Sequence, residues 1–135
     1  MRIACRGSFR LPGAPEIGWF TPEGERAWVE GWDPVYCSGA TDEPGAVWTT
    51  PGTTWVTTDR TPTRVRYARV AANGTAGTVE VVCAPDGAGT TVAVTYDLTA
   101  TEPRGEAVLR AFEAGYPAML TGWETGIRAG MRPPA

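Results

Sequence analysis

A long amphipathic segment follows an almost unbroken succession of strand-like segments in this chain. Between position 103 and about position 130, apolar side chains recur at three- and four-residue spacing, the period of one face of an α-helix. Charged residues such as Arg110, Glu113 and Glu124 lie off this stripe. Pro117 removes a backbone donor from the middle of the segment and predicts a kink. The stripe consists of Leu109, Phe112, Tyr116, Met119, Leu120, Trp123 and Ile127.

Seven segments before this helix have the features of β-strands. In residues 3–11, Ile3, Cys5 and Phe9 alternate with charged or polar residues, which predicts a strand with one wet face. Gly, Pro, Asn and Asp residues mark turns between the later segments. The remaining six strands are predicted at 33–37, 46–50, 54–59, 63–71, 75–84 and 90–99.

Two short helices are predicted between the first and second strands. Pro15 suits the start of a helix through residue 20. The second helix has Thr21 as its N-cap and Pro22 at its first position, with acidic residues in its first turn, and is expected to end near Gly31.

When one face of a sheet is exposed to solvent, its apolar face has to be covered by another element, and only the final helix is long enough to cover it. A seven-stranded sheet also curls, and one helix does not fill its concave side. The pattern therefore predicts an α+β protein, with one curved antiparallel sheet wrapped around one helix and a cavity between them. The length of 135 residues indicates a single domain over 1–135.

The composition argues against several classes of function. The chain contains no His, so Ser-His and Cys-His catalytic pairs are impossible and the commonest metal ligand is absent. Cys5, Cys37 and Cys83 lack zinc-site spacing and are expected to be free thiols, so no metal or cofactor is predicted. A net charge of -3 argues against nucleic acid. Without a membrane-spanning stretch or a signal-peptide core, the expected location is the cytoplasm, as a monomer or homodimer.

Several short motifs of the sequence resemble those of the SRPBCC superfamily of START-like, birch-pollen-allergen-like domains. They are the run 20–29 (FTPEGERAWV), the run 31–34 (GWDP), the run 44–48 (PGAVW), the run 53–56 (TTWV) and the helical run 112–116 (FEAGY). The resemblance covers nearly the whole chain and is strongest to a bacterial subgroup whose members mostly lack an assigned activity. It implies a helix-grip fold and a hydrophobic ligand pocket. Relatives include lipid carriers, aromatic polyketide cyclases and partners of chaperones, but no catalytic motif of the cyclases is visible here.

Ten residues are candidates for the lining of the predicted cavity. Arg69 alternates with Val65 and Tyr67 on one face of its strand, so it is expected to face inward and to bind a carboxylate or enolate oxygen of a ligand. The alternative is that it reaches water at the strand end or pairs with Asp97 or Glu80. The six Trp residues either line the pocket or fill the core. The candidates are Trp55, Tyr67, Arg69, Val82, Val94, Tyr96, Phe112, Tyr116, Met119 and Trp123.

Three functions remain open from the sequence. The leading one is binding of a small hydrophobic or aromatic molecule, such as a lipid or polyketide-like metabolite. The second is a cyclase or dehydratase that uses Arg69, Tyr67 or Tyr96, favoured if polar groups converge in the cavity. The third is a protein-interaction module, favoured by a filled core and a large exposed apolar patch. No spacing selects a pair of catalytic carboxylates, and Glu23, Glu25 and Glu80 are expected on the solvated surface.

Overall fold

One antiparallel sheet of seven strands makes up most of the protein in the computed structural model, which describes residues 1–39 and 43–131. Its strand order is β1-β7-β6-β5-β4-β3-β2, so each strand from β2 to β6 pairs with the next one along the chain, β1 pairs with β7, and β1 and β2 are the edges. The strands are β1 Arg2–Pro12, β2 Val35–Ser38, β3 Val47–Thr50, β4 Thr53–Arg60, β5 Arg64–Ala71, β6 Thr75–Asp86 and β7 Gly89–Ala100.

Two short 3₁₀-helices, Ile17–Phe20 and Gly24–Ala27, connect β1 to β2. The hydroxyl of Thr21 accepts a hydrogen bond from the Gly24 amide at 3.1 Å and donates one to the Gly18 carbonyl at 2.8 Å. Thr21 therefore caps the turn that leads into the second helix, but the helix begins at Gly24 with Glu23 as its N-cap, two residues later than the sequence predicts. That helix is shorter than the sequence indicates, because Trp28 already leaves helical geometry with φ of -142°.

A close backbone approach at Gly24 joins these two helices. A Cβ placed on Gly24 would lie 1.7 Å from the Gly18 carbonyl oxygen, a distance that no side chain tolerates. The residue therefore has to be Gly for the second helix to pack directly on the first.

One long helix, α1 Gly105–Met131, crosses the concave face of the sheet. It packs mainly against β1, β7 and β6. Leu109, Tyr116, Leu120 and Ile127 are its buried hydrophobic residues and belong to the predicted stripe. The helix continues through Pro117, whose carbonyl accepts a hydrogen bond from the Thr121 hydroxyl at 3.2 Å.

The element order and the single antiparallel sheet confirm the predicted α+β architecture, and the strand bounds differ by only one or two residues from those expected. Cys5, Cys37 and Cys83 are all free, with Cys37 exposed and the other two buried. None of the helices in the described ranges combines the length and apolar character needed to cross a bilayer.

Candidate functional site

A cavity of about 280 Å³ lies where α1 no longer covers the sheet. Its floor is the inner face of β3 to β7, one wall is α1, and the other wall is the segment that includes the second 3₁₀-helix. Eight aromatic side chains border it, together with Val29, Val79, Val81 and Met119, so its surface is mainly apolar. The aromatic residues are Phe20, Trp32, Trp48, Trp55, Tyr67, Tyr96, Phe112 and Trp123.

Strand register places two Trp residues and Arg69 in one row across the floor of this cavity. Trp48 pairs with Trp55, Trp55 with Arg69, and Arg69 with Gly77. Because directly paired residues point to the same face, the Trp48 and Trp55 rings stack, with centroids 5.0 Å apart and planes within 3°. The Arg69 guanidinium lies 5.5 Å from the centroid of the Trp55 ring. Gly77 places no side chain beside Arg69 on its other flank.

The polar atoms of most of the aromatic lining residues are already hydrogen-bonded to the protein. The indole N–H groups of Trp32, Trp48 and Trp55 donate to the Pro22 carbonyl and to two Thr hydroxyls over 2.8 to 3.3 Å. The Tyr67 hydroxyl donates to the Phe20 carbonyl at 2.7 Å. These groups therefore offer ring faces to the cavity, and their polar ends serve the fold.

Arg69 is inward-facing and has no carboxylate partner within the described residues. Its Nε is buried without a hydrogen bond, and one terminal nitrogen lies 3.5 Å from the Thr75 hydroxyl, a marginal contact. Asp97 pairs instead with Arg2 at 2.5 Å, and no ion pair joins Arg69 to Glu80 in the described ranges. Burial lowers the pKa of Arg69, yet an Arg keeps its charge. A guanidinium group without a carboxylate partner among the described residues therefore borders the cavity.

Glu25 also borders the cavity, which corrects the expectation that it lies on the solvated surface. Its carboxyl group makes no hydrogen bond or ion pair with the described residues. Burial among apolar side chains raises its pKa well above the ordinary value, because the charged form loses its hydration. Glu23 behaves differently and is exposed, where it accepts hydrogen bonds from Tyr36 and Arg26.

The charges of Arg69 and Glu25 both affect the pKa of Tyr96. Burial raises its pKa, the negative charge of Glu25 raises it further, and the positive charge of Arg69 lowers it. The Tyr96 hydroxyl has no hydrogen-bond partner among the residues the structure describes. The Tyr116 hydroxyl, by contrast, donates to the Val94 carbonyl at 2.7 Å.

Seven of the ten residues predicted to line the cavity do border it, and three do not. Val82 lies on the outer face of β6, because Val79, Val81 and Cys83 take the inner positions and period-two alternation turns Val82 away. Val94 is fully buried in the solid part of the core, and Tyr116 packs there over it. The seven are Trp55, Tyr67, Arg69, Tyr96, Phe112, Met119 and Trp123.

The wall is formed by Glu25, Val29 and Trp32; the sequence analysis missed Glu25 and Val29 and left Trp32 among the Trp residues that either line the pocket or fill the core. These residues follow one another at spacings of four and three, so they repeat with the helical period. That spacing was a usable signal, because it places Glu25 on the same side of the segment as two large apolar residues.

The structure resembles solved proteins of low sequence identity. CalU16 from Micromonospora echinospora matches with a TM-score of 0.68 at 17% identity, over 98% of this chain and 86% of CalU16. DynU16, from the dynemicin biosynthetic locus, matches with a TM-score of 0.65 at 17% identity, over 94% of this chain and 48% of DynU16. Ara h 8.0201 matches with a TM-score of 0.63 at 12% identity, over 93% of this chain and 97% of that protein.

These neighbours confirm the helix-grip fold, the fold of the SRPBCC superfamily that the sequence resembles. At such low identity they establish the fold alone. No protein-family model matches the chain, and no curated protein is similar enough in sequence to match it. Within the described residues, no group of three or more Cys, Asp or Glu side chains is placed to hold a metal ion.

Proposed function

We propose that the protein binds a small aromatic or otherwise hydrophobic molecule in the cavity between the sheet and α1. The observation that carries this proposal is an aromatic-lined space of about 280 Å³ inside an otherwise packed core. Packed interiors leave few voids larger than a water molecule, and ligand sites are mostly apolar with a few placed polar groups.

The size of the cavity favours a compact ligand. A cavity of about 150 Å³ holds one benzene ring. Nearly twice that space suits one or two fused rings better than the chain of a membrane lipid. Stacked indole faces also favour a planar ring system over a flexible chain. An aromatic metabolite of the polyketide-like class is therefore our preferred ligand.

The test is a titration with 2-naphthamide, a neutral two-ring probe, followed by Trp fluorescence and calorimetry. We expect one site per chain and a change in emission, because Trp55 and Trp123 border the cavity. Val81→Phe should abolish binding by filling the space. Val82→Phe, one residue along the same strand on the outer face, should leave it intact. Equal binding by both variants, or none by the wild type, would contradict the proposal.

A second candidate is an enzyme of the cyclase or dehydratase type that uses the same cavity. It is supported by the unpartnered Glu25, Arg69 and Tyr96 groups, since a carboxyl group with a raised pKa can act as a general acid. Native mass spectrometry of the purified protein, followed over time with any retained molecule, and chromatography of the released molecule together separate the two. A carrier leaves the molecule unchanged in both, a dehydratase lowers its mass by one water, and a cyclase converts it to an isomer of the same mass and different retention.

A protein-interaction module has less support. The core is not filled, and the exposed large hydrophobic residues of the described ranges are only Met1, Val35 and Val70. These are scattered single side chains, which are normal on a monomer surface.

A further inference from the structure

Three polar groups border the cavity with hydrogen-bonding capacity that the described residues leave unused: the Glu25 carboxyl, the Arg69 guanidinium and the Tyr96 hydroxyl. The Arg69 Nε is buried without a partner, and the guanidinium makes only the marginal 3.5 Å contact with the Thr75 hydroxyl. Buried polar groups in native proteins are nearly always hydrogen-bonded, so this exception calls for an explanation. The neighbouring indole N–H groups and the Tyr67 hydroxyl are satisfied within the fold. Because Glu25 and Tyr96 border the same space as Arg69, all three groups are placed for a ligand.

The charge and the hydrogen-bond donors of these groups indicate which chemical groups that ligand carries. Arg69 is a permanent donor that cannot lose its proton, and the Tyr96 hydroxyl and a neutral Glu25 carboxyl are donors as well. No ion pair joins Glu25 to Arg69 in the described ranges, although both influence Tyr96. From α1, only the uncharged side chains of Phe112, Met119 and Trp123 face the space. With Glu25 neutral the site carries one uncompensated positive charge and needs an acceptor.

We propose, building on the ligand-binding function above, that the cavity selects a planar aromatic monoanion whose carboxylate or enolate oxygens bind Arg69 and the protonated carboxyl group of Glu25. The ring system stacks against Trp55, which already lies beside the guanidinium. The Tyr96 hydroxyl, which borders the same cavity as Arg69 and Glu25, donates a third hydrogen bond to the same anionic oxygens.

Binding of this kind is linked to one proton. A bound anion disfavours a second negative charge nearby, so it raises the pKa of Glu25 above its already raised value in the free protein. Between those two pKa values the complex holds a proton that the free protein has lost. The affinity for the anion therefore falls as the pH rises through this interval, by up to about tenfold per pH unit.

The experiment compares 2-naphthoate with 2-naphthamide, which have the same ring system and differ in charge. Calorimetric titrations run from about pH 6 to pH 9, where an ordinary carboxylic acid ligand stays ionised. The proteins are the wild type, Arg69→Met, Glu25→Gln and Glu30→Gln. Glu30 is the control, an exposed carboxylate on the same segment. Because the Glu25 carboxyl has no hydrogen-bond or ion-pair partner among the described residues, its amide replacement removes no such contact from that part of the fold.

We expect the wild type to bind 2-naphthoate at least about tenfold more tightly than 2-naphthamide at the lowest pH, with the preference shrinking as the pH rises. Arg69→Met should lose about tenfold or more in affinity for the anion and less than about threefold for the amide. Glu25→Gln should bind the anion with little pH dependence, while Glu30→Gln keeps the wild-type profile.

Several outcomes would overturn the inference and leave the cavity proposal standing. Equal wild-type affinity for the two probes would show that the anion is not recognised. A pH dependence that persists in Glu25→Gln would show that another group carries the proton. Failure of both probes to bind would instead contradict the ligand-binding function itself.

Discussion

The concave face of the sheet has two halves that differ in what covers them. Over β1, β7 and β6, the helix α1 lies directly on the strands, and Leu109, Val92 and Val94 are completely buried. Over β5, β4 and β3, the cover is a pair of short 3₁₀-helices and a cluster of Trp side chains, and it leaves the cavity, whose floor extends to Val79 and Val81 of β6 and Tyr96 of β7. One helix is about 10 Å wide, too narrow for a seven-stranded sheet. The same sheet thus supplies a solid core on one side and a binding space on the other.

Polar groups differ between the solid core and the cavity border. In the solid core, the Tyr116 hydroxyl donates to a backbone carbonyl. At the cavity border, the Glu25 carboxyl, the Arg69 Nε and the Tyr96 hydroxyl have no hydrogen-bond partner among the described residues. The difference separates residues that hold the fold from residues that are available to a ligand, and the following changes test it.

Truncation of one helix residue in each half should give the largest contrast. Leu109 is fully buried, whereas Met119 is partly exposed at the cavity wall. Leu109→Ala should cost about 3 kcal/mol of unfolding free energy, and Met119→Ala about 1 kcal/mol, because part of the Met side chain already faces empty space. Leu and Met have similar helix propensity, so each variant controls for the other. Equal losses in urea denaturation would mean that the cavity half is packed solid.

Removal of one hydroxyl from the solid core and one from the cavity border should give a smaller contrast. Tyr116→Phe breaks the hydrogen bond to the Val94 carbonyl and should cost about 1.5 kcal/mol. Tyr96→Phe removes a hydroxyl that has no partner among the described residues and should change the unfolding free energy by less than about 0.5 kcal/mol. A larger loss for Tyr96→Phe would show that this hydroxyl serves the fold.

Glu25 should make stability fall as the pH rises. Its pKa is raised in the folded protein, so above the ordinary carboxyl pKa the unfolded chain releases a proton that the folded chain keeps. The unfolding free energy should then decrease by up to about 1.4 kcal/mol per pH unit, until the pH exceeds the folded-state pKa. Glu25→Gln should abolish this decrease and Glu30→Gln should retain it. Thermal unfolding across the pH range that shows identical slopes in all three proteins would place Glu25 in water.

The Thr21 cap before the second 3₁₀-helix should have the most local effect. Thr21→Ala removes the hydroxyl that binds the Gly24 amide and should cost about 1 kcal/mol. Thr21→Ser keeps the hydroxyl and should cost much less. Since this segment covers the open half, Thr21→Ala should also weaken binding of 2-naphthamide. An unchanged denaturation midpoint would show that the cap does not stabilise the cover.

The fold could be predicted from the sequence because its signals are periodic and local. Alternation in β1 and the three- and four-residue spacing along α1 each follow from burial of one face. The site was less predictable. The clean alternation of β5 predicts correctly that Arg69 faces inward. In β6, neighbouring Val residues conceal the alternation, and the prediction that Val82 faces the cavity is wrong.

Glu25 shows why some site residues escape such reasoning. Acidic residues in a first helical turn are usually solvated, so the helix start around Glu25 predicts an exposed side chain and outweighs the spacing signal to Val29 and Trp32. The position of Glu25 over the sheet depends on how the segment after β1 folds, which is a tertiary packing outcome. Gly24 permits that packing through its close approach to the Gly18 carbonyl.

The central claim, that α1 and the segment after β1 leave an open, mainly apolar space over the sheet, is tested most directly by a crystal structure determined under xenon pressure. Xenon enters dry apolar cavities without needing any polar partner. We predict xenon density in the space bordered by Val79, Trp55 and Trp123, with little movement of these side chains. Absence of xenon there, with the Phe112 and Met119 side chains closed over the floor of the sheet, would contradict the account.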